Sequence, residues 1–247
     1  VTGTFPADLG LNGVISQDTR LAWTEIRPYL PSGAYLAGGT GIAVHLKHRV
    51  SNDLDFFTDD PLDVDELNDE LVRSPLMVQV TRATPQLGSL AGVLRSTKFE
   101  FSDASTVHRV EPTTEVAGIP VAGLGDLLAM KAKAITARKE LRDYEDLKAI
   151  EMLAGRRFEE GIALAIQRYS ITTEGGVMSF ITALARVDRC SEDPLVVTPR
   201  DELIAYWKGR LPTVIASVSR YAVHPMSPHE ADEAIGFIAD EEDNTET

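Results

Sequence analysis

The chain has 247 residues, with 24 basic against 38 acidic side chains, a net charge of −14, and 43% hydrophobic residues. That hydrophobic share supports a core and excludes wholesale disorder, and the length suits one domain or two compact ones. A single cysteine, Cys190, excludes an intramolecular disulfide and a cysteine-rich zinc site.

No apolar run reaches the ~18 residues that a membrane span needs; the nearest, Val116 to Met130, is interrupted by Gly118, Pro120, Gly123, Gly125 and Asp126. No basic stretch followed by an apolar core opens the sequence, so the expectation is a cytoplasmic protein with no membrane partner. The charge is unevenly placed. Residues 229–247 hold eight acids and no Lys or Arg, leaving 24 basic against 30 acidic residues elsewhere. The balance excludes a general nucleic-acid coating protein. A local basic face remains open, because Lys131 to Arg157 carries eight basic residues against five acidic ones.

In chain order, Asp18 to Arg27 has the helical spacing of Leu21, Trp23 and Ile26, and Pro28 and Pro31 end it. Ala34 to Ala37 is an apolar strand stopped by Gly38-Gly39, and Thr40 opens a helix to about Lys47. Asp53 to Thr58 begins with alternating acid and apolar residues, the pattern of a strand, and Asp63 to Val72 forms an acidic amphipathic helix. Leu76 to Arg82, Ala91 to Ser96 and Lys98 to Ser102 are further strands; Val107 to Val121, punctuated by Pro and Gly, is read as irregular. Helices then follow over Leu124 to Arg138, Glu140 to Leu153, Phe158 to Tyr169, Gly176 to Arg186, and Arg200 to about Tyr221, with a break at Pro212.

The expected organisation is a mixed α/β domain over residues 1–120, a helical domain over 121–228, and an acidic, solvated tail over 229–247. The expected fold class is α+β.

The informative stretch is Leu36-Ala-Gly-Gly-Thr40, twelve residues, then Asp53-Leu-Asp55-Phe-Phe57. Two glycines after a strand allow a sharp turn and close backbone approach to a ligand. The N–H groups and positive dipole end where the helix begins favour an anion such as phosphate, which makes Gly38, Gly39 and Thr40 candidate nucleotide-binding residues. Asp53 and Asp55 lie two apart on a strand, so both carboxylates share one face while Leu54 and Phe56 point to the core. Adjacent carboxylates raise each other's pKa unless a cation lies between them, and such hard oxygen ligands suit Mg²⁺. A third acid on a neighbouring strand would complete a two-ion site; Glu100, in the alternating Lys98-Phe-Glu-Phe101, is the candidate. Such a site suits in-line attack on the α-phosphate of an NTP.

This pattern resembles the nucleotidyltransferase superfamily, with its Gly-Gly turn followed by Asp-x-Asp on a strand. The segment from Leu36 to Thr58, together with Asp126-Leu-Leu-Ala-Met-Lys131, Arg138 and Arg142-Asp-Tyr-Glu-Asp-Leu147, is similar to the AbiEii/AbiGii toxin family, which includes the MenT toxins. The resemblance covers about Ala34 to Ile150. It implies that Lys131 binds the triphosphate, that Asp146 orients the nucleotide or substrate side of the cleft, and that Arg142 assists the nucleotide. It also implies a nucleotidyltransferase-like mixed sheet with flanking helices, Lys131 and Asp146 reaching in from the helical domain, and a tRNA 3′ end as acceptor. A neighbouring antitoxin is implied as a protein partner. The residue-level alternatives stay open: each half of the motif alone suits a plain turn or a solvated strand face, and Lys131 could snorkel from a buried helix. A small-molecule or protein acceptor, or a non-catalytic nucleotide-binding module, are the competing functions.

Overall fold

The computed structural model describes residues 11–223. The expected acidic tail, 229–247, and residues 224–228 of the expected helical domain lie outside the described residues.

The chain divides into two units. Among the described residues, the first comprises those up to His108 together with Pro112–Ala122, and the second comprises Arg109–Glu111 and those from Gly123 onward. The change-over thus falls at 122/123, where the sequence places it at about 120, and three residues of the preceding loop belong with the second unit.

The first unit is built on a seven-stranded mixed sheet. Its elements are α1 (Gln17–Ile26), β1 (Ala34–Leu36), α2 (Gly38–Leu46), β2 (Asp53–Thr58), α3 (Val64–Arg73), β3 (Val78–Thr84), β4 (Ser89–Leu94), β5 (Thr97–Asp103), β6 (Thr114–Val116) and β7 (Ile119–Val121). The strand order is β3-β4-β5-β2-β1-β7-β6. β2 runs parallel to β5 and antiparallel to β1, while β4 pairs antiparallel with both β3 and β5. Ser16 caps α1 by accepting from the Thr19 N–H at 3.1 Å, and Asp63 caps α3 through Glu66 N–H at 2.9 Å.

Strand alternation separates two faces. Leu36, Phe56, Phe101 and Leu90 form a register row across four strands, all buried, with the Phe56 and Phe101 rings stacked at 4.9 Å. Trp23 and Ile26 of α1 and Leu67 and Leu71 of α3 join this core.

Three local expectations are corrected. Residues 107–121 are not wholly irregular: β6 and β7 make a hairpin whose two loop residues, Ala117 (φ 50°) and Gly118 (φ 78°), are both left-handed, as a tight two-residue loop requires. The helix after β1 is assigned from Gly38, not Thr40. β4 ends two residues early because Arg95, at φ 59°, turns the chain directly into β5.

The second unit is helical: α4 (Leu124–Ala137), α5 (Leu141–Ala154), α6 (Phe158–Tyr169), α7 (Glu174–Ala185) and α8 (Arg200–Val223). α4 packs against α5, α6 and α7, and α8 packs on α6 and α7. Here too one expectation fails, since α8 runs through Pro212 without a break. Leu203, Trp207, Val214 and Val218 form one buried stripe on both sides of the exposed proline, and this packing outweighs the missing N–H. Trp207 is the hub: its indole donates to the Tyr144 carbonyl at 3.0 Å, and Phe158 and Tyr206 meet it edge-on. None of the described helices is long and apolar enough to cross a membrane.

Candidate functional site

In the first unit, the alternating Asp-Leu-Asp-Phe sequence of β2 buries Leu54 and Phe56 completely and leaves Asp53 and Asp55 partly exposed on the opposite face. Glu100 on β5 is the register partner of Asp55, so the three acids share that face. The β1–α2 turn closes over one end of the row. Ala37 N–H donates to the Asp55 carbonyl at 2.8 Å, and Gly38 follows at φ 61°. A Cβ on Gly38 would lie 2.1 Å from Asp55 Oδ2, so the glycine both permits the turn and leaves room for that carboxylate.

Thr40 plays a different part from the one its position suggests. It is buried, and its hydroxyl donates to the Asp53 carbonyl and lies 2.8 Å from Ser51 Oγ. The side chain ties α2 to the approach to β2. Only its backbone N–H belongs to the helix start with those of Gly38 and Gly39.

Two basic residues on the acid face escaped the sequence reading. Arg82 of β3 reaches past small Ala91 to place Nη2 2.6 Å from Glu100 Oε1, and Ser89 Oγ donates to the same oxygen at 3.0 Å. Lys98 is the register partner of Asp53. The signal for Lys98 was visible, since it shares the alternation that singled out Glu100. Arg82 could be found only from the pairing of β3 with β4. Among the described residues no three His, Cys, Asp or Glu side chains form a cluster ready to hold a metal ion. The Asp53–Asp55 pair supplies the donor type that a hard cation takes, with its remaining ligands left to phosphate and water. Glu100 would join only by parting from Arg82.

The second unit holds the other predicted group. Lys131 on α4 is 7% exposed, and its Nζ lies 2.7 Å from Asp143 Oδ1 and 2.8 Å from Asp146 Oδ2, both on α5. Arg138 meets Asp143 through Nε at 2.8 Å and Nη2 at 2.9 Å. Burial pulls the Lys131 ammonium down, but Asp146 and Asp143 outweigh it and hold the pKa above the ordinary value. Burial likewise pushes Asp143 up, and Lys131 and Arg138 bring it below the usual carboxylate range. Lys131, Arg138, Asp143 and Asp146 therefore form a charged cluster, which Glu140 extends with its Oε2 3.7 Å from Arg138 Nε.

Arg142 pairs with neither Asp143 nor Asp146 and meets that cluster through Glu140. Its Nε lies 2.5 Å from Asp193 Oδ2 and its Nη2 3.6 Å from Glu140 Oε2. The structure thus groups Asp53, Asp55, Glu100, Gly38 and Gly39 in the first unit, and Lys131, Asp143 and Asp146 in the second. Asp126, on the second motif, has a structural role: fully buried, it pairs with Arg168 and accepts the Val110 and Glu111 N–H groups at 3.0 and 2.9 Å.

Comparison with solved structures supplies the fold. A protein from H. pylori, provisionally classed as a nucleotidyltransferase, matches 83% of this chain and 98% of its own with a TM-score of 0.51 at 13% identity. The fold is nucleotidyltransferase-like. MenT4, a nucleotidyltransferase toxin from Mycobacterium tuberculosis H37Rv, matches 93% of this chain and 91% of its own at a TM-score of 0.47 and 17% identity. By sequence, an uncharacterized protein of Aquifex aeolicus is 32% identical over 117 residues, 46% of this chain and 55% of its own length. The chain thus spans about half the length of that curated relative. No family model matches. Within this nucleotidyltransferase-like fold, the three acids share one face of β2 and β5, with the β1–α2 turn against Asp55.

Proposed function

We propose that the chain is a Mg²⁺-dependent nucleotidyltransferase that moves NMP from an NTP to an acceptor hydroxyl and releases pyrophosphate. The observation that carries this is the pair Asp53 and Asp55 on one face of β2, with the left-handed Gly38 turn against Asp55. Asp53 and Asp55 would hold the cation, and Glu100 would become the third ligand on leaving Arg82. Backbone N–H groups of Gly38, Gly39 and Thr40 would bind phosphate oxygens at the positive end of α2. Bound Mg²⁺ would lower the pKa of the attacking hydroxyl and neutralise charge on the leaving pyrophosphate. The acceptor oxygen bonds to the α-phosphorus as the bond to pyrophosphate breaks, and the hydroxyl proton passes to solvent.

Lys131, Asp146 and Arg142 enter this reading on the sequence resemblance alone, as triphosphate-binding, orienting and nucleotide-binding residues. So do the tRNA 3′ end as acceptor and the role of a toxin restrained by an antitoxin. The test is transfer of label from each α-labelled NTP, with Mg²⁺, in the presence and absence of total tRNA. Label on tRNA from the native protein and none from Asp53→Ala supports the proposal; equal labelling by Asp53→Ala, with its fold intact, rejects it.

A second reading, nucleotide binding without turnover, is favoured by the engagement of Glu100 with Arg82 and of Lys131 with two carboxylates. Calorimetric NTP binding with no labelled product on RNA, protein or small-molecule acceptors would select it.

A further inference from the structure

The helical unit carries a cavity of about 360 Å³ between the end of α4, the start of α5 and one face of α7. Its charged lining consists of Arg138, Lys139 and Arg186, and no carboxylate lines it. In a chain of net charge −14 this is a local reversal of sign. Lys139 and Arg186 are exposed and enter no ion pair among the described residues.

The hydroxyls on the α7 wall have a defined polarity. Ser179 Oγ donates to the Gly176 carbonyl at 2.6 Å, and Thr182 Oγ1 donates to the Met178 carbonyl at 3.0 Å. With their hydrogens committed to the helix, both offer only acceptor lone pairs. Tyr144 is similarly committed, since its hydroxyl donates to the Ala183 carbonyl at 2.8 Å, and its buried ring backs the cavity, while the exposed Met178 supplies apolar lining. A matching ligand carries negative charge for the cations, O–H or N–H donors for the hydroxyl oxygens, and an apolar part for Met178. A ribonucleotide has all three, and its 2′-hydroxyl supplies the donor that a deoxyribonucleotide lacks.

We propose that this cavity is a subsite for one phosphate-bearing ribonucleotide unit of a single-stranded RNA. The phosphate lies on Lys139 and Arg186, the ribose 2′-hydroxyl donates to Thr182, and a base N–H donates to Ser179. The proposal rests on the nucleotidyl-transfer reading for its purpose, which is to hold an acceptor strand.

The test is fluorescence anisotropy of the full chain with a 5′-labelled, mixed-sequence RNA of about ten nucleotides, in EDTA and low salt. Lys139→Glu and Arg186→Glu should each weaken binding about tenfold and flatten the salt dependence, as removal of a phosphate contact does. Arg73→Glu, an exposed cation in the other unit, should change it less than about twofold. Thr182→Val should weaken RNA and leave DNA of the same sequence unchanged. Equal weakening by Arg73→Glu, or affinities of the two cavity variants within twofold of the native protein, overturns the proposal. Complete competition by ATP at concentrations matching its strand-free affinity also overturns it, in favour of a free nucleotide. The two readings separate cleanly. Loss of RNA binding in the cavity variants of a protein that transfers no label supports the cavity and removes the transfer reading. Label transfer with an unchanged KM for RNA in those variants does the reverse.

Discussion

Substituting Gly38→Ala tests the coupling between the β1–α2 turn and Asp55. Two terms oppose the methyl group. Gly38 sits at φ 61°, where an L-residue costs about 1–2 kcal/mol. The added Cβ would also lie 2.1 Å from Asp55 Oδ2 and 3.0 Å from Asp55 Cβ, so the carboxylate must swing out of its position. An off-rotamer side chain adds about 0.5–1.5 kcal/mol, which gives a total near 2–3 kcal/mol.

Gly88→Ala is the matched control. It has φ 57° and would place Cβ 2.4 Å from Asp103 Cβ, disturbing a carboxylate that accepts the Leu62 and Ser105 N–H groups at 3.1 and 2.8 Å. Both variants should lower the urea midpoint, read by far-UV circular dichroism, and Gly88→Ala by more, because Asp103 Cβ is fixed to the backbone and cannot swing aside. Only Gly38→Ala should also lose Mn²⁺ binding and label transfer. A Gly38→Ala protein within about 0.5 kcal/mol of the native one would refute the steric argument. An equal loss of metal binding in Gly88→Ala would refute the claim that Asp55 is the group affected.

Three further outcomes are expected. Asp126→Ala removes the carboxylate paired with the buried Arg168 and the acceptor of two N–H groups and should cost about 3–5 kcal/mol, whereas Asp126→Leu with Arg168→Met should recover the part due to the uncompensated charge but not the part due to the Val110 and Glu111 N–H groups; thermal melts decide, and a single variant melting with the native protein refutes the pairing. The Asp143 pKa is held below its ordinary value of 3.8, so its stabilising contribution is complete above that value and is lost as pH falls through the lower native one; Asp143→Asn should flatten the acid limb of a stability profile, and an unchanged limb counts against the cluster. Pro212→Ala restores an N–H on the exposed side of α8 and should stabilise by about 1–2 kcal/mol, raising Tm by about 2–8 °C; a lower Tm would show that the proline fits that helix better than alanine.

The sheet was legible where one face is buried and the other is polar. Asp53 to Thr58 and Lys98 to Phe101 alternate cleanly, and alternation is a property of each strand alone. The β6–β7 hairpin was hidden because its signal runs opposite to propensity: Ala117 is left-handed without being glycine, and Pro120 lies inside a strand. Pro212 misled in the same way, since the stripe that overrides it becomes visible only when α6 and α7 are seen to cover it. Partners far apart in sequence gave no signal at all. Arg168 meets Asp126 across 42 positions, and Arg210 meets Glu159 across 51. Thr40 was placed correctly beside the turn, but whether a hydroxyl faces a ligand or the Asp53 carbonyl depends on a three-dimensional packing that its spacing does not encode.

The two units handle charge by opposite means. In the helical unit, several carboxylates lie in the interior and each meets a cation: Asp143 and Asp146 meet Lys131 and Arg138, Asp126 meets Arg168, and Arg210 serves both Glu151 and Glu159. A buried acid without a partner would be too costly to retain. On the sheet, Asp53, Asp55 and Glu100 remain partly exposed, where water lowers the cost of gathering like charges, and the nearby cations are looser: the Arg82 and Glu100 side chains are 56% and 40% exposed. An exposed pair of that kind contributes about 0–1 kcal/mol, little enough for a divalent cation or a phosphate to displace. The deep pairs of the helical unit are fixed parts of its core, whereas exchange of the shallow Arg82–Glu100 pair costs little. The acid face of β2 and β5 thus carries an ion pair that can exchange, as the proposed site requires.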